Sequence, residues 1–231
     1  VEVLSNGEVR GERVRLADFT NVEANDWLAV NQYTVEEGHF NRRPDVVVLL
    51  NGIPIVVIEL KNAKDEKATI WKAYQQFQTY QKQIPRLFTY NELLVISDGN
   101  EARLGALTSP QERFSPWKTI EGYDIAPSSF NQLEVLLKGV FKRSRLLELL
   151  RHFIVFEDDG NQIMKKVAAY HQFHAVQKAL ERTLEASTPE GTRRGGVLWH
   201  TQGSGKSLTM LFFAGKLVLH PQMENPTIVV L

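Results

Sequence analysis

The sequence predicts an α/β protein. Short β-branched or apolar runs alternate with amphipathic helical patterns along its 231 residues, and two junctions carry glycine turns of distinct kinds, Asn51-Gly52 and Gly203-Ser-Gly-Lys-Ser207. The strand candidates of the first part are Val14–Leu16, Leu28–Val35, Val46–Leu50, Ile53–Leu60, Leu93–Ser97 and Ala102–Leu107. One helix, Ala68 to Gln83, interrupts them, because Ile70, Ala73, Phe77, Tyr80 and Ile84 recur at steps of three and four until Pro85 stops the pattern. A mixed sheet flanked by helices is the expected product.

Residues 108–128 are rich in Pro, Ser, Gly and Thr and read as a loop that packs through Phe114 and Trp117. Two amphipathic patterns, Ser129–Val140 and Lys142–Phe153, follow as a helical connector, and a third helix runs from Met164 to Leu184. After the polar stretch Glu185–Gly195 come a strand Gly196–His200, a glycine-containing turn, a helix Ser207–Leu219 and a strand Thr227–Leu231. Three units are therefore expected, 1–128, 129–163 and 164–231. The chain opens at Val1 without a methionine and closes on a strand candidate with no later partner, so a longer parent chain is expected.

Composition narrows little. With 43% hydrophobic and 23% charged residues the chain is of ordinary globular type, and 27 basic against 27 acidic side chains leave no net field to argue for nucleic acid. There is no cysteine, no amino-terminal signal pattern and no apolar run of membrane-spanning length, so a cytoplasmic protein is the default expectation.

The most informative chemistry in the first half is Arg43-Pro-Asp45, thirteen intervening residues, then Glu59-Leu-Lys61 at the end of an apolar strand. Glu59 and Lys61 leave one face of that strand, with Leu60 directed to the core. Phosphodiester hydrolysis needs carboxylate oxygens for a hard cation and a positive group at the scissile phosphate. Asp45, Glu59 and Lys61 supply those parts. Strand ends also carry charges simply because they emerge into water, and spacing alone leaves both readings open.

Hairpin geometry provides a test. If Asn51-Gly52 closed a plain two-residue loop, Leu50 would face Ile53 and Asp45 would face Ile58, on the wrong face for Glu59. A three-residue loop with Gly52 left-handed would instead pair Leu49 with Ile53 and bring Asp45 to the right face. The functional reading requires an odd loop or a bulge. On the following helix Gln76 and Tyr80 lie four apart on one face, Tyr80 fitting the core stripe and Gln76 a solvated position.

Together, Arg43-Pro-Asp45, Ile55–Lys61 and Gln76-Phe-Gln-Thr-Tyr80 resemble the nuclease domain of type I restriction subunits, a PD-(D/E)XK fold with an added glutamine–tyrosine motif. The resemblance implies that Asp45 and Glu59 bind Mg²⁺, that Lys61 acts at the phosphate and water, and that Gln76 and Tyr80 support the site or contact DNA.

Thr201-Gln-Gly-Ser-Gly-Lys-Ser207 sits between an apolar strand and an amphipathic helix, the setting of a phosphate-binding loop. Backbone N–H groups of Gly203, Ser204 and Gly205 would wrap phosphates at a helix amino terminus, Lys206 would reach the β and γ phosphates, and Ser207 would coordinate Mg²⁺. His200 stands where the simplest pattern has its first glycine, a departure that type I restriction subunits share. Tyr170-His-Gln-Phe-His174 resembles the adenine-reading segment of superfamily 2 helicases, with Gln172 as the adenine reader. His171 and His174 are three apart with no carboxylate or cysteine in register, which argues against zinc.

The resemblance spans nearly the whole chain and implies an ATP-dependent endonuclease subunit: a Mg²⁺-dependent nuclease, a connector, and the first strand–loop–helix–strand unit of a RecA-like motor that uses ATP-Mg. Its partners would be double-stranded DNA and the modification and specificity subunits, with S-adenosylmethionine only on the modification subunit, and no membrane. ATP hydrolysis would need the longer parent chain. The rival readings are a helicase-nuclease of another DNA-processing class and a non-catalytic DNA-binding scaffold that kept the nuclease fold.

Overall fold

A computed structural model describes residues 15–62 and 69–230, together with the backbone of residues 2–3 and 9–10. Its strands in chain order are β1 (Glu2–Val3), β2 (Val9–Arg10), β3 (Trp27–Asn31), β4 (Val35–Glu37), β5 (Phe40–Arg42), β6 (Val46–Leu50), β7 (Ile53–Leu60), β8 (Leu93–Ser97), β9 (Ala102–Gly105), β10 (Ile154–Asp158) and β11 (Ile163–Val167). The helices are α1 (Ile70–Gln83), α2 (Gln132–Val140), α3 (Arg143–His152), α4 (Tyr170–Ser187) and α5 (Lys206–Val218). One five-stranded sheet, in the order β3-β6-β7-β8-β9, organises the molecule. Its β7–β8 pair is parallel, which requires a crossover, and α1 supplies it; the other neighbours are antiparallel. This is the expected α/β architecture with a mixed sheet.

Alternation along the strands sends side chains to two helical layers. Val47, Val57, Leu94 and Ile96 face α1, where Ala73, Phe77 and Tyr80 cover them. Val56, Ile58, Leu93 and Val95 face the opposite layer. That second core continues through Trp117, Leu136 and Leu149 to Phe173 and Phe212, so the sheet, the connector and the elements around the glycine loop share it. Phe153 stands between them, its ring centroid 4.5 Å from Phe173 and 5.6 Å from Phe212. Burial of such aromatics contributes about 1.5–3 kcal/mol each. The loop 108–128 packs as expected, with Phe114 in one core and Trp117 in the other.

Several expectations need correction. The strand read as Leu28–Val35 ends at Asn31, because Gln32 takes a left-handed φ of 53° and turns the chain; a separate hairpin, β4–β5, follows. Of the candidate Val14–Leu16, residues 15 and 16 are not a strand, and Val14 lies outside the described residues, as does Ala68, the expected start of α1. Met164 does not open a helix. It lies on β11, which pairs with β10 across a turn containing Asp159-Gly160, and α4 begins only at Tyr170. Leu60 is not a core residue either: on the last position of β7 it has run past the covering helices and is 38% exposed.

The segments 196–200 and 227–230 belong to no ladder among the described residues. A strand exists through hydrogen bonds to a neighbour, and no described strand pairs with either segment. Val197 and Trp199 are correspondingly exposed, at 96% and 88%. The strand–loop–helix–strand unit expected there is present as loop and helix only. Among the described residues no helix is long and apolar enough to cross a membrane.

Candidate functional site

The turn between β6 and β7 decides whether the acidic pair assembles. Asn51 and Gly52 both have positive φ, 50° and 80°, the two-residue turn that Asn-Gly favours, and Leu50 pairs with Ile53. The proposed three-residue loop is therefore wrong. The required odd residue sits farther along: Leu49 pairs with Pro54 but Val48 pairs with Val56, so Ile55 is extra on β7. Its signature is that consecutive Ile55 and Val56 both pack in the same core, before Val57 crosses to the α1 side. Beyond the bulge Val46 pairs with Ile58. One more step in that register sets Asp45 across from Glu59, on the α1 face.

Glu59 is 2% exposed; its Oε1 accepts from Lys61 Nζ at 3.1 Å, and its buried Oε2 has no hydrogen-bond partner. Lys61 Nζ also donates to Gln76 Oε1, and Gln76 Nε2 donates to the Tyr80 hydroxyl. The orientation of the Gln76 amide is chemically forced, because an ammonium only donates and must meet the carbonyl oxygen. Gln76 is thus not merely solvated: Glu59, Lys61, Gln76 and Tyr80 form one chain of contacts from the sheet to α1.

Asp45 is held separately, its Oδ2 accepting the Leu60 N–H at 2.8 Å and its Oδ1 accepting from Gln32 Nε2 at 3.0 Å. Burial pushes the Glu59 carboxyl up to about 7, and the charge of Asp45 adds to the rise while Lys61 opposes it. Burial likewise raises the Tyr80 hydroxyl above its usual range, against the pull of the Gln76 hydrogen bond. Two facing carboxylates with a buried, unpartnered oxygen are a costly arrangement without a cation and a favourable one with it. The residues fit a divalent ion, with Asp45 and Glu59 as the side chains to hold it.

At the opposite helical layer, Gly203 and Gly205 have φ of 77° and 78°, a conformation glycine adopts freely, and α5 begins at Lys206. Lys206 Nζ folds back over the loop to the carbonyls of His200 at 3.3 Å and Thr201 at 3.1 Å. Gly203, Lys206 and Ser207 are exposed. Gln172 is buried and spans the join between α4 and the loop, accepting the Ala169 N–H at 2.9 Å and donating to the Gly205 carbonyl at 2.9 Å. A Cβ on Gly205 would meet that amide at 2.7 Å, which adds a packing reason for glycine there.

Comparison with known proteins matches both ends of the chain. Residues 1–113 fit the family model described as the N terminus of the type I restriction enzyme R protein, and residues 171–231 fit the SWI2/SNF2 ATPase model. The HindI type I restriction enzyme endonuclease subunit of Haemophilus influenzae is 45% identical across 100% of this chain. The chain belongs to the type I restriction R-protein family. A putative type I restriction enzyme endonuclease subunit of Methanocaldococcus jannaschii, MjaIXP, is 37% identical, also across 100% of the chain. The chain spans 22% and 24% of the lengths of these two relatives.

Two residues of this R-protein chain that touch the sites escaped the sequence reading. Gln32 was hidden inside an apparently continuous strand, although the polar pair Asn31-Gln32 was a signal that the strand could stop there. His171, weighed only as a metal ligand, has its Nε2 3.1 Å from the Ser204 carbonyl and its ring 5.2 Å from that of His200. Among the described residues no group of three potential metal-binding His, Cys, Asp or Glu side chains occurs.

Proposed function

We propose that this chain carries the DNA-cleaving site of a type I restriction endonuclease subunit, on a PD-(D/E)XK-type sheet, together with the phosphate-binding loop of its ATP-driven motor. The observation that carries the reading is the bulge at Ile55, which sets Asp45 and buried Glu59 on the face where Lys61 and Gln76 meet. Asp45 and Glu59 are the ligands for Mg²⁺, which when bound neutralises charge on the scissile phosphate. Lys61 orients the attacking water and stabilises the charge that develops on phosphate oxygen. Gln76 holds Lys61, and Tyr80 holds Gln76. The substrate is duplex DNA, cut without base reading by this chain.

The loop Gly203–Ser207 would hold the phosphates of ATP-Mg: Lys206, whose Nζ meets the carbonyls of His200 and Thr201, would supply positive charge to the β and γ phosphates, and Ser207 would supply an oxygen for the ion. Gln172 reads adenine or holds the loop from α4; its present contacts favour the second role. In the assembled enzyme, modification and specificity subunits supply recognition, and translocation brings remote DNA to the nuclease. The test uses the full-length protein assembled with those subunits and a plasmid carrying a recognition site. Lys61→Ala should abolish cutting while ATP hydrolysis stays near wild type, since Lys61 touches no element of the phosphate loop. Equal loss of both activities would refute this division of labour.

A further inference from the structure

Gln32 departs from local rules in a way that the fold alone does not require. It is a non-glycine residue with φ of 53°, a left-handed conformation that L side chains adopt only at an energetic cost, and its side chain is exposed. What the turn achieves is contact with Pro44 and Asp45, the segment that leads into β6. The Gln32 N–H donates to the Asp45 carbonyl at 2.7 Å, and the next N–H, of Tyr33, donates to Pro44 at 3.1 Å. The side-chain amide then reaches Asp45 Oδ1 at 3.0 Å. With Oδ2 already taken by the Leu60 N–H at 2.8 Å, both oxygens of this carboxylate are fixed by donors from two different strand ends.

We infer that Gln32 is a positioning residue for the nuclease site: its left-handed turn aims an amide that locks the rotamer of Asp45, so that this carboxylate meets the cation without first having to order itself. The inference rests on the proposed nuclease reading. Each carboxylate oxygen has two lone pairs, so one hydrogen bond on each leaves capacity for an ion. The amide is the right chemistry, because a neutral donor orients the carboxylate without replacing the cation's charge. Outer-shell partners of metal ligands set affinity by about 10- to 100-fold, and Gln32 stands in that relation to Asp45.

The experiment measures Mn²⁺ binding to the full-length protein by electron paramagnetic resonance without nucleotide, alongside the Mg²⁺ dependence of ATP-dependent plasmid cleavage by the assembled enzyme. Three variants are compared: Gln32→Ala, Gln32→Gly and Asp45→Ala. Gln32→Gly removes the amide but keeps a residue at home in the left-handed turn. Both Gln32 variants should bind Mn²⁺ about tenfold more weakly and need correspondingly more Mg²⁺ for half-maximal cutting. Loss in Gln32→Ala with wild-type binding in Gln32→Gly would assign the effect to the backbone and overturn the inference. Near-wild-type affinity in both, with Asp45→Ala unable to bind, overturns it while leaving the nuclease reading intact. An Asp45→Ala protein that binds and cuts normally overturns both.

Discussion

Asp45, one residue before β6, comes onto the face of Glu59 because one residue, Ile55, is extra on β7 between the turn and the site. Without that bulge the two-residue Asn51-Gly52 turn would place Ile58 opposite Asp45 and send the carboxylates to opposite faces of the sheet. The bulge lies four residues from Glu59 on the same strand, close enough to set register at the site and far enough to leave its end regular.

The contact chain from Lys61 through Gln76 to Tyr80 predicts a graded response. Gln76→Ala frees the ammonium from its helix anchor and should slow plasmid cleavage by about 10- to 100-fold. Tyr80→Phe keeps the Gln76–Lys61 contact and removes only the acceptor for the Gln76 amide, so its loss should be smaller, about tenfold or less. Cleavage rates of the assembled enzyme, with ATP hydrolysis as the folding control, check the order. A Tyr80→Phe defect larger than that of Gln76→Ala would contradict the chain as drawn.

His174 predicts a pH dependence of stability away from either site. Burial, with Arg145 and Lys178 nearby, depresses its imidazole to about 4 against the pull of Glu121, and its Nε2 lies 2.9 Å from the Thr119 hydroxyl. A group whose folded value is depressed binds its proton first in the unfolded chain. Stability is therefore complete above about 6.5 and falls as pH drops toward 4, by at most ~1.4 kcal/mol per pH unit. Urea midpoints of wild type and His174→Gln between pH 7.5 and roughly 4.5 measure it by difference, which removes carboxylates common to both, Glu59 included. A constant difference across that range would contradict the assignment.

Lys206→Ala should abolish translocation, and with it cutting of long DNA carrying the recognition site, although every nuclease residue remains. No other side chain in Gly203–Ser207 carries a positive charge. On the proposed reading, the β and γ phosphates would then lose the positive side chain aimed at them, and a motor without turnover would not bring DNA to the nuclease. ATP-dependent cleavage of a plasmid with one recognition site reads the effect, and undiminished cutting would refute the coupling.

The legible parts of the fold were those written in local periodicity. Strands β6, β7 and β8 and helix α1 follow from unbroken apolar runs and three- and four-residue steps, and the charged trio stood out against them. The bulge was legible only as a requirement: nothing distinguishes Ile55 from its neighbours in Ile53-Pro-Ile-Val-Val-Ile58, and packing against two layers selects the residue that doubles up. The β10–β11 hairpin was missed although Asp159-Gly160 between two apolar segments signalled it, because Met164 fitted a helical extension equally well. Gln32 could not be assigned by pattern, since its contact spans thirteen residues to Asp45 and depends on a single backbone angle. The segments 196–200 and 227–230 read as strands by composition, yet strand formation depends on partners that composition does not specify.

The proposed nuclease site requires a divalent cation held between Asp45 and Glu59. The position of Mn²⁺ located by anomalous diffraction from crystals of the protein tests this most directly. An ion is expected with carboxylate oxygens of both residues in its coordination sphere, about 2.0–2.3 Å away, and with Glu59 Oε2 among them. An ordered ion elsewhere, with Glu59 Oε2 still without a partner, would contradict it.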